Sequence, residues 1–169
     1  MGRSVIKCVD VNGKQIKNLK LWKKGHPSAL FFESKFEWEA WKLLKASGLD
    51  FTHHPASREV MPAIKRISLS KGATKKLFMA SVRPISYTTD FSVDCDDGTT
   101  VFIETKGFFH PDARLRYKLF QATLSNKEVT LLAYDTYGIG PKRMTDVKAI
   151  IKLIKEHYNV RKTTKILDI

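Results

Sequence analysis

The chain has 169 residues, 43% hydrophobic and 11% aromatic, values that suit one domain with its own core and exclude a generally disordered protein. Lys and Arg number 30 against 17 Asp and Glu, and the formal net charge of +13 favours a polyanionic partner, nucleic acid ahead of a membrane surface. Two cysteines, Cys8 and Cys95, leave no disulfide framework and no C-x-x-C metal pair, and no long apolar run suggests a membrane span, so a reduced, cytoplasmic setting is expected.

Residues Met1 to Ile6 carry neither a secretory nor a myristoylation signal. Val5 to Leu21 predicts a hairpin: Val5, Val9 and Val11 approach an Asn12-Gly13 turn, and Ile16, Leu19 and Leu21 leave it. Lys7, Lys14, Lys17, Lys20, Lys23 and Lys24 mark either a solvated face or one that touches DNA. Gly25-His26-Pro27 predicts a loop.

Glu33 to Ser47 predicts a helix, with Phe36, Ala40, Leu43, Leu44 and Ser47 as its buried stripe and Gly48 as a left-handed cap. Ser34-Lys35-Phe36-Glu37 matches a capping box, in which Glu37 satisfies an exposed N–H. The alternative is that Glu37 points across the helix into a metal site, with Glu33 and Glu39 as weaker rivals. Leu49 to His54 predicts a strand. Adjacent strand residues point to opposite faces, so His53 and His54 are read as surface or DNA contacts rather than as paired metal ligands.

Arg58 to Ile67 predicts a strand interrupted by Pro62. Lys65, Arg66, Lys71, Lys75 and Lys76 surround Ser68, Ser70, Gly72 and Ala73, a basic insertion that is either a mobile solvated loop or an arm gripping phosphates.

Ser86 to Val93 predicts a strand, the cluster Asp94, Asp96, Asp97 and Gly98 a hairpin turn, and Thr99 to Lys106 the returning strand, ended by Gly107. Alternation puts Glu104 and Lys106 on one face, with Ile103 and Thr105 on the other. With Asp90 on the partner strand, an Asp, a Glu and a Lys converge at one end of the hairpin. Two carboxylates there offer hard oxygen ligands suited to Mg²⁺, and a neighbouring Lys can reach a scissile phosphate or an attacking water. His110-Pro111-Asp112 then starts a helix with Leu115, Leu119 and Ala122 facing inward; Arg114, Arg116 and Lys118 do not all share one face. Glu128 to Tyr134 predicts a buried strand, Tyr137 to Pro141 a Gly-rich loop without a Walker pattern, and Thr145 the start of a last helix with Val147, Ile150, Ile151, Ile154 and Tyr158 as its stripe. Arg161 to Ile169 is a basic tail.

The Asp90, Glu104-Thr105-Lys106 order resembles the core of the PD-(D/E)XK nuclease superfamily, with Thr89 where proline is usual. Three blocks resemble the phage endonuclease I family, whose members resolve four-way (Holliday) junctions: Phe32, Ser34 and Glu37; Tyr87-Thr88-Thr89-Asp90-Phe91; and Ile103-Glu104-Thr105-Lys106-Gly107. The resemblance covers about Phe32 to Phe120. The spans from the first strand to Tyr87 and from Asp90 to Glu104 are longer than that family's. It implies an α/β fold with a restriction-endonuclease-like core, a mixed central sheet flanked by helices. It also implies Mg²⁺, with Mn²⁺ able to substitute. Glu37, Asp90, Glu104 and Lys106 would be catalytic, and Asp90, Glu104, the Thr105 carbonyl and Glu37 would hold metal. The implied partner is branched DNA, gripped by Lys65, Arg66, Lys71, Lys75, Lys76, Arg114, Arg116 and Lys118. A homodimer would bring two sites to one junction, in the host-cell cytoplasm if the chain is viral. Residues 1–30 would then be a basic extension, 31–160 the nuclease domain and 161–169 the tail. Transposon-end and restriction-type nucleases share a similar order, and a non-catalytic basic DNA-binding protein on the same fold is a further alternative.

Overall fold

The computed structural model describes residues 8–69, 77–107, 110–134 and 142–158. The expectations for Val5 and Lys7, for Ser70 to Lys76 with its three lysines, for Tyr137 to Pro141 and for Arg161 to Ile169 lie outside the described residues.

The centre is a four-stranded mixed sheet. Its strands are β3 (Thr52–His53), β8 (Phe91–Asp94), β9 (Thr100–Lys106) and β10 (Glu128–Tyr134), in the order β10-β9-β8-β3. β8 runs antiparallel to β3 and β9, while β10 runs parallel to β9. β9 is hydrogen-bonded on both sides and buried on both faces, which its β-branched and aromatic run Val101-Phe102-Ile103 suits. β8 and β9 form the expected hairpin. A turn closes from the Cys95 carbonyl to the Gly98 amide at 3.1 Å, and Gly98 takes φ +80°, which costs a glycine little.

Alternation along β9 assigns the two layers. Val101 and Ile103 join Phe91, Val93 and Ala133 under helices α2 (Lys35–Ser47) and α4 (Lys142–His157), against Phe36, Ala40, Leu44, Val147, Ile150 and Ile154. Phe102 faces the other way, with Tyr87, against Tyr117 and Phe120 of helix α3 (Pro111–Ala122). α2 begins at Lys35 rather than Glu33, where Ser34 Oγ caps it by accepting from the Glu37 amide at 3.0 Å, and it ends as expected at a left-handed Gly48. At that end Lys155 of α4 donates to the Ser47 carbonyl at 2.6 Å. The expected α4 stripe is in place, although the helix begins at Lys142, before Thr145.

Several expectations are corrected. The N-terminal segment is no hairpin of two long strands. β1 (Val9–Asp10) pairs with β2 (Phe31–Phe32), the Asn12-Gly13 turn is bridged only at Val9 and Gln15, and the predicted return is helix α1 (Leu19–Gly25). Asn18 decides this, because its Oδ1 caps the helix by accepting from the Leu21 amide at 3.1 Å. The Ser86 to Val93 strand is two strands, β7 (Ile85–Tyr87) and β8, with different partners, so the chain crosses over at Thr88 to Asp90. Pro62 splits the preceding segment into β4 (Arg58–Met61) and β5 (Ile64–Leu69) as expected, and Lys65 and Arg66 of the basic insertion lie in a two-stranded ribbon. β5 pairs antiparallel with β6 (Leu77–Val82), nested inside the β4–β7 pair.

On α3 the helix phase differs from expectation. Tyr117 and Phe120 are buried, with Ala113 packed beside them, while Leu115 is 59% exposed and Ala122 is exposed. Tilted and edge-to-face ring contacts with Tyr87 and Phe102 outweigh the leucine periodicity. β10 is an edge strand of the sheet and mostly half-buried, rather than fully buried.

Candidate active site

The register of the hairpin sets Phe91 opposite Ile103, so Asp90, at the mouth of β8, lies level with Glu104. Asp90 is anchored rather than free to turn. Its Oδ2 accepts from the Thr105 amide at 2.7 Å and from the Thr105 hydroxyl at 2.5 Å, and its own carbonyl accepts from the His54 amide at 2.9 Å. Glu104 is 0% exposed. It is paired with the Lys106 ammonium, and the Tyr87 hydroxyl lies beside it, but neither of its oxygens makes a hydrogen bond of regular geometry.

Burial dominates the electrostatics here. It pushes Asp90 above the usual carboxylate range, against the pull of Lys106. It pushes Glu104 up to about 8, helped by the Asp90 charge and opposed by Lys106. Burial alone would lower Lys106, but Asp90 and Glu104 outweigh it and hold the ammonium above its ordinary value. Tyr87 is raised by burial and by the Glu104 charge, so it stays a neutral phenol.

Glu37 is engaged through both carboxylate oxygens. Its Oε2 accepts from the Glu33 amide at 2.7 Å, one residue before the position that a capping box would use. Its Oε1 meets His53 Nε2 at 2.7 Å and His54 Nε2 at 2.9 Å. The two imidazoles converge because the strand stops: β3 ends at His53, and His54 takes φ +49°, a left-handed conformation uncommon for a non-glycine residue. The rings stack at 3.9 Å between centroids, correcting the expectation that they point apart. Burial pushes Glu37 up, yet the hydrogen bonds from His53 and His54 prevail and hold it at about 2, while the bond to Glu37 raises His54.

Both groups border one open cleft of about 410 Å³, lined by Glu33, His54, Tyr87, Asp90, Lys106 and Arg116 among others. Of the expected DNA contacts among the described residues, only Arg116 reaches it. Arg114 and Lys118 are exposed elsewhere on α3, and Lys65 and Arg66 are exposed on β5. Among the described residues, no helix is long and apolar enough to cross a membrane.

The profile of a family described as a protein of unknown function, DUF1064, matches residues 23–135. The chain belongs to the DUF1064 family. No curated protein and no solved structure matches it. The DUF1064 region contains every residue lining the cleft of Asp90 and Lys106. A larger cleft, about 560 Å³, lies between the Asn12-Gly13 turn and α1, and all but His26 of its lining residues precede the DUF1064 match. It gathers lysines, Trp22 and Asp10 but no buried carboxylate, whereas the smaller cleft is lined by buried Asp90.

Sequence reasoning missed three contributors. Tyr87 was read as part of a motif, but its place beside Glu104 depends on the β4–β7 pairing. Glu33 was a weaker rival to Glu37, yet Glu33 lines the cleft while Glu37 lies beneath. Strand alternation sets His53 and His54 apart, and only the left-handed turn at His54 reverses that, against the extended backbone that Pro55 favours in the residue before it.

Proposed function

We propose that this chain is a metal-dependent endodeoxyribonuclease of the PD-(D/E)XK kind, acting on branched DNA such as four-way junctions. The observation that carries the reading is the pair of buried carboxylates, Asp90 and Glu104, beside Lys106 at one end of β8 and β9, where Asp90 and Lys106 line a cleft rimmed by Arg116. The order of helix, Asp, Glu-x-Lys and basic helix supports the restriction-endonuclease-like core, and the charge of +13 supports a DNA partner.

The residues fit a hard divalent ion such as Mg²⁺ or Mn²⁺. Glu104 has two buried oxygens without regular hydrogen bonds, and Asp90 commits only Oδ2 to Thr105. Asp90, Glu104 and, on the resemblance, the Thr105 carbonyl would hold it. When bound, the ion would supply Lewis acidity at the phosphate and an activated water. Thr105 holds Asp90 in one rotamer. Lys106, an ammonium at neutral pH, offsets charge growing on the phosphate rather than acting as a base. Arg116, at the rim, seats the phosphate backbone. Glu37 is within electrostatic reach of Asp90, but its oxygens are engaged by the Glu33 amide and the two histidines.

The test is cleavage with Mg²⁺ of a four-way junction, a linear duplex and a single strand, with Asp90→Asn as control. Junction cutting that needs the ion and is lost in Asp90→Asn supports the reading. Cutting of linear ends alone points to another nuclease of the superfamily. DNA binding with no cutting of any substrate leaves a non-catalytic DNA-binding protein.

A further inference from the structure

We propose that Glu37, His53 and His54 form a second metal site, selective for a zinc-class transition ion and distinct from the all-oxygen pair Asp90 and Glu104. The proposal does not depend on the nuclease reading.

The donor chemistry comes first. Two imidazole nitrogens and a carboxylate oxygen are borderline donors that suit Zn²⁺, Co²⁺ or Ni²⁺, whereas Mg²⁺ prefers oxygen alone. The three donor atoms lie within 4.8 Å of one another, close enough for one ion to be shared. They come from two elements, the first turn of α2 and the end of β3, that are fixed independently. α2 is capped by Ser34 at 3.0 Å, and the His54 amide donates to the Asp90 carbonyl at 2.9 Å, so the backbone presents the donors before any ion arrives.

The backbone supplies a second argument. His54 occupies a left-handed conformation that glycine or asparagine would adopt more easily. Such a conformation persists where its surroundings hold it, here the hydrogen bond from the His54 amide to the Asp90 carbonyl. Here it turns the second imidazole onto the oxygen already met by the first. Burial is graded as a metal site requires: Glu37 and His53 are enclosed, and His54 is partly open to the cleft, which provides a route for an ion. Three protein donors would leave a further coordination position for water or a ligand.

The test uses the full chain titrated with Co²⁺ and followed by its visible d–d absorption. The expected result is a band of low-coordinate Co²⁺ saturating at one ion per chain, displaced by Zn²⁺ and not by excess Mg²⁺, and retained in Asp90→Asn. Loss of an outer partner typically costs 10- to 100-fold in metal affinity, so His54→Gln, which removes a direct donor, is expected to weaken binding by at least about 100-fold. Glu37→Gln is expected to do the same, with folding checked by circular dichroism. Imidazole NMR of the unaltered chain gives a readout that no variant can confound: Zn²⁺ should shift the His53 and His54 signals and spare His26 and His110. Absence of the band, displacement by Mg²⁺, or a band unchanged in folded His54→Gln would overturn the proposal and leave the three side chains as a hydrogen-bonded clasp. Because Asp90→Asn is expected to keep the Co²⁺ site, a failed cleavage assay and a failed titration are distinguishable.

Discussion

Thr105 grips the Asp90 carboxylate twice through one oxygen, with its amide at 2.7 Å and its hydroxyl at 2.5 Å. The amide comes with the strand, but the hydroxyl is a choice of side chain. Thr105→Val keeps the shape and removes one hydrogen bond to a charged group, an interaction of about 1.5–3 kcal/mol. Cleavage is expected to fall about 10- to 100-fold, the same energy expressed as a rate. Asp90→Asn and Glu104→Gln are expected to abolish cleavage while DNA affinity is kept. Single-turnover cleavage alongside a binding titration separates the two effects, and full activity in Asp90→Asn would remove the proposed site.

Lys106→Ala should lower the cleavage rate by about 10²–10³, the scale of one electrostatic donor at a transition state. Its ammonium is held above its ordinary value, so rate profiles of the unaltered chain near neutrality should show no inflection from Lys106. A loss smaller than about tenfold would demote Lys106 to a partner that merely neutralises buried Glu104.

The Glu37 cluster has a defined pH window when divalent ions are chelated. Burial pushes Glu37 up, but its histidine hydrogen bonds prevail and hold it at about 2 against an ordinary 4.5. That contribution to stability is present above 4.5 and is lost as pH falls towards 2. His54 is raised above 6.5 by Glu37, so its contribution is present below 6.5 and is lost as pH rises through its folded value. The difference in Tm between the unaltered chain and Glu37→Gln should therefore peak between 4.5 and 6.5 and shrink on either side. A difference that stays flat from about pH 4 to 8 would contradict the assignment.

The strongest sequence signals were local ones. Ser34 and Gly48 bound α2 where their chemistry says they should, and Asp97-Gly98 marked the central hairpin. The Asn18 cap is equally local, but it competes with the hairpin pattern of Val5 to Leu21. Other features were set by distant partners. The phase of α3 follows Tyr87 and Phe102, far away in sequence, and β7 and β8 part company because β4 claims one and β3 and β9 claim the other. The convergence of His53 and His54 depends on a backbone turn held by Asp90, and no residue pattern announces that.

DNA binding should be governed by phosphate contacts, with affinity falling about 10³–10⁵-fold between 50 and 200 mM salt if six to ten are made. Replacing Lys65 and Arg66 with alanine should reduce the salt slope by about one to two if the β5–β6 ribbon grips DNA. An unaltered slope, measured by anisotropy across a salt series, would leave both side chains merely solvated. Arg116→Ala should reduce the slope and also the cleavage rate, because Arg116 stands at the rim of the cleft.

Cutting two strands of a junction from one site per chain calls for a symmetric pair of chains. Light scattering at micromolar concentration should show a dimer, free or on DNA. A strict monomer in both states would count against junction resolution and favour a nuclease that makes single cuts.

The nesting of β5–β6 within β4–β7 has a consequence for how this protein can change. The chain departs after Met61 and returns at Ile85, which face each other in register, so everything between leaves and re-enters by one doorway. Lengthening, trimming or exchanging that excursion alters neither the order of the central strands nor the alignment of Asp90 with Glu104. The loop-closure cost of such edits grows only slowly with length. If Lys65 and Arg66 of the ribbon grip DNA, exchanging the ribbon is expected to alter DNA affinity while Asp90 and Glu104 stay aligned.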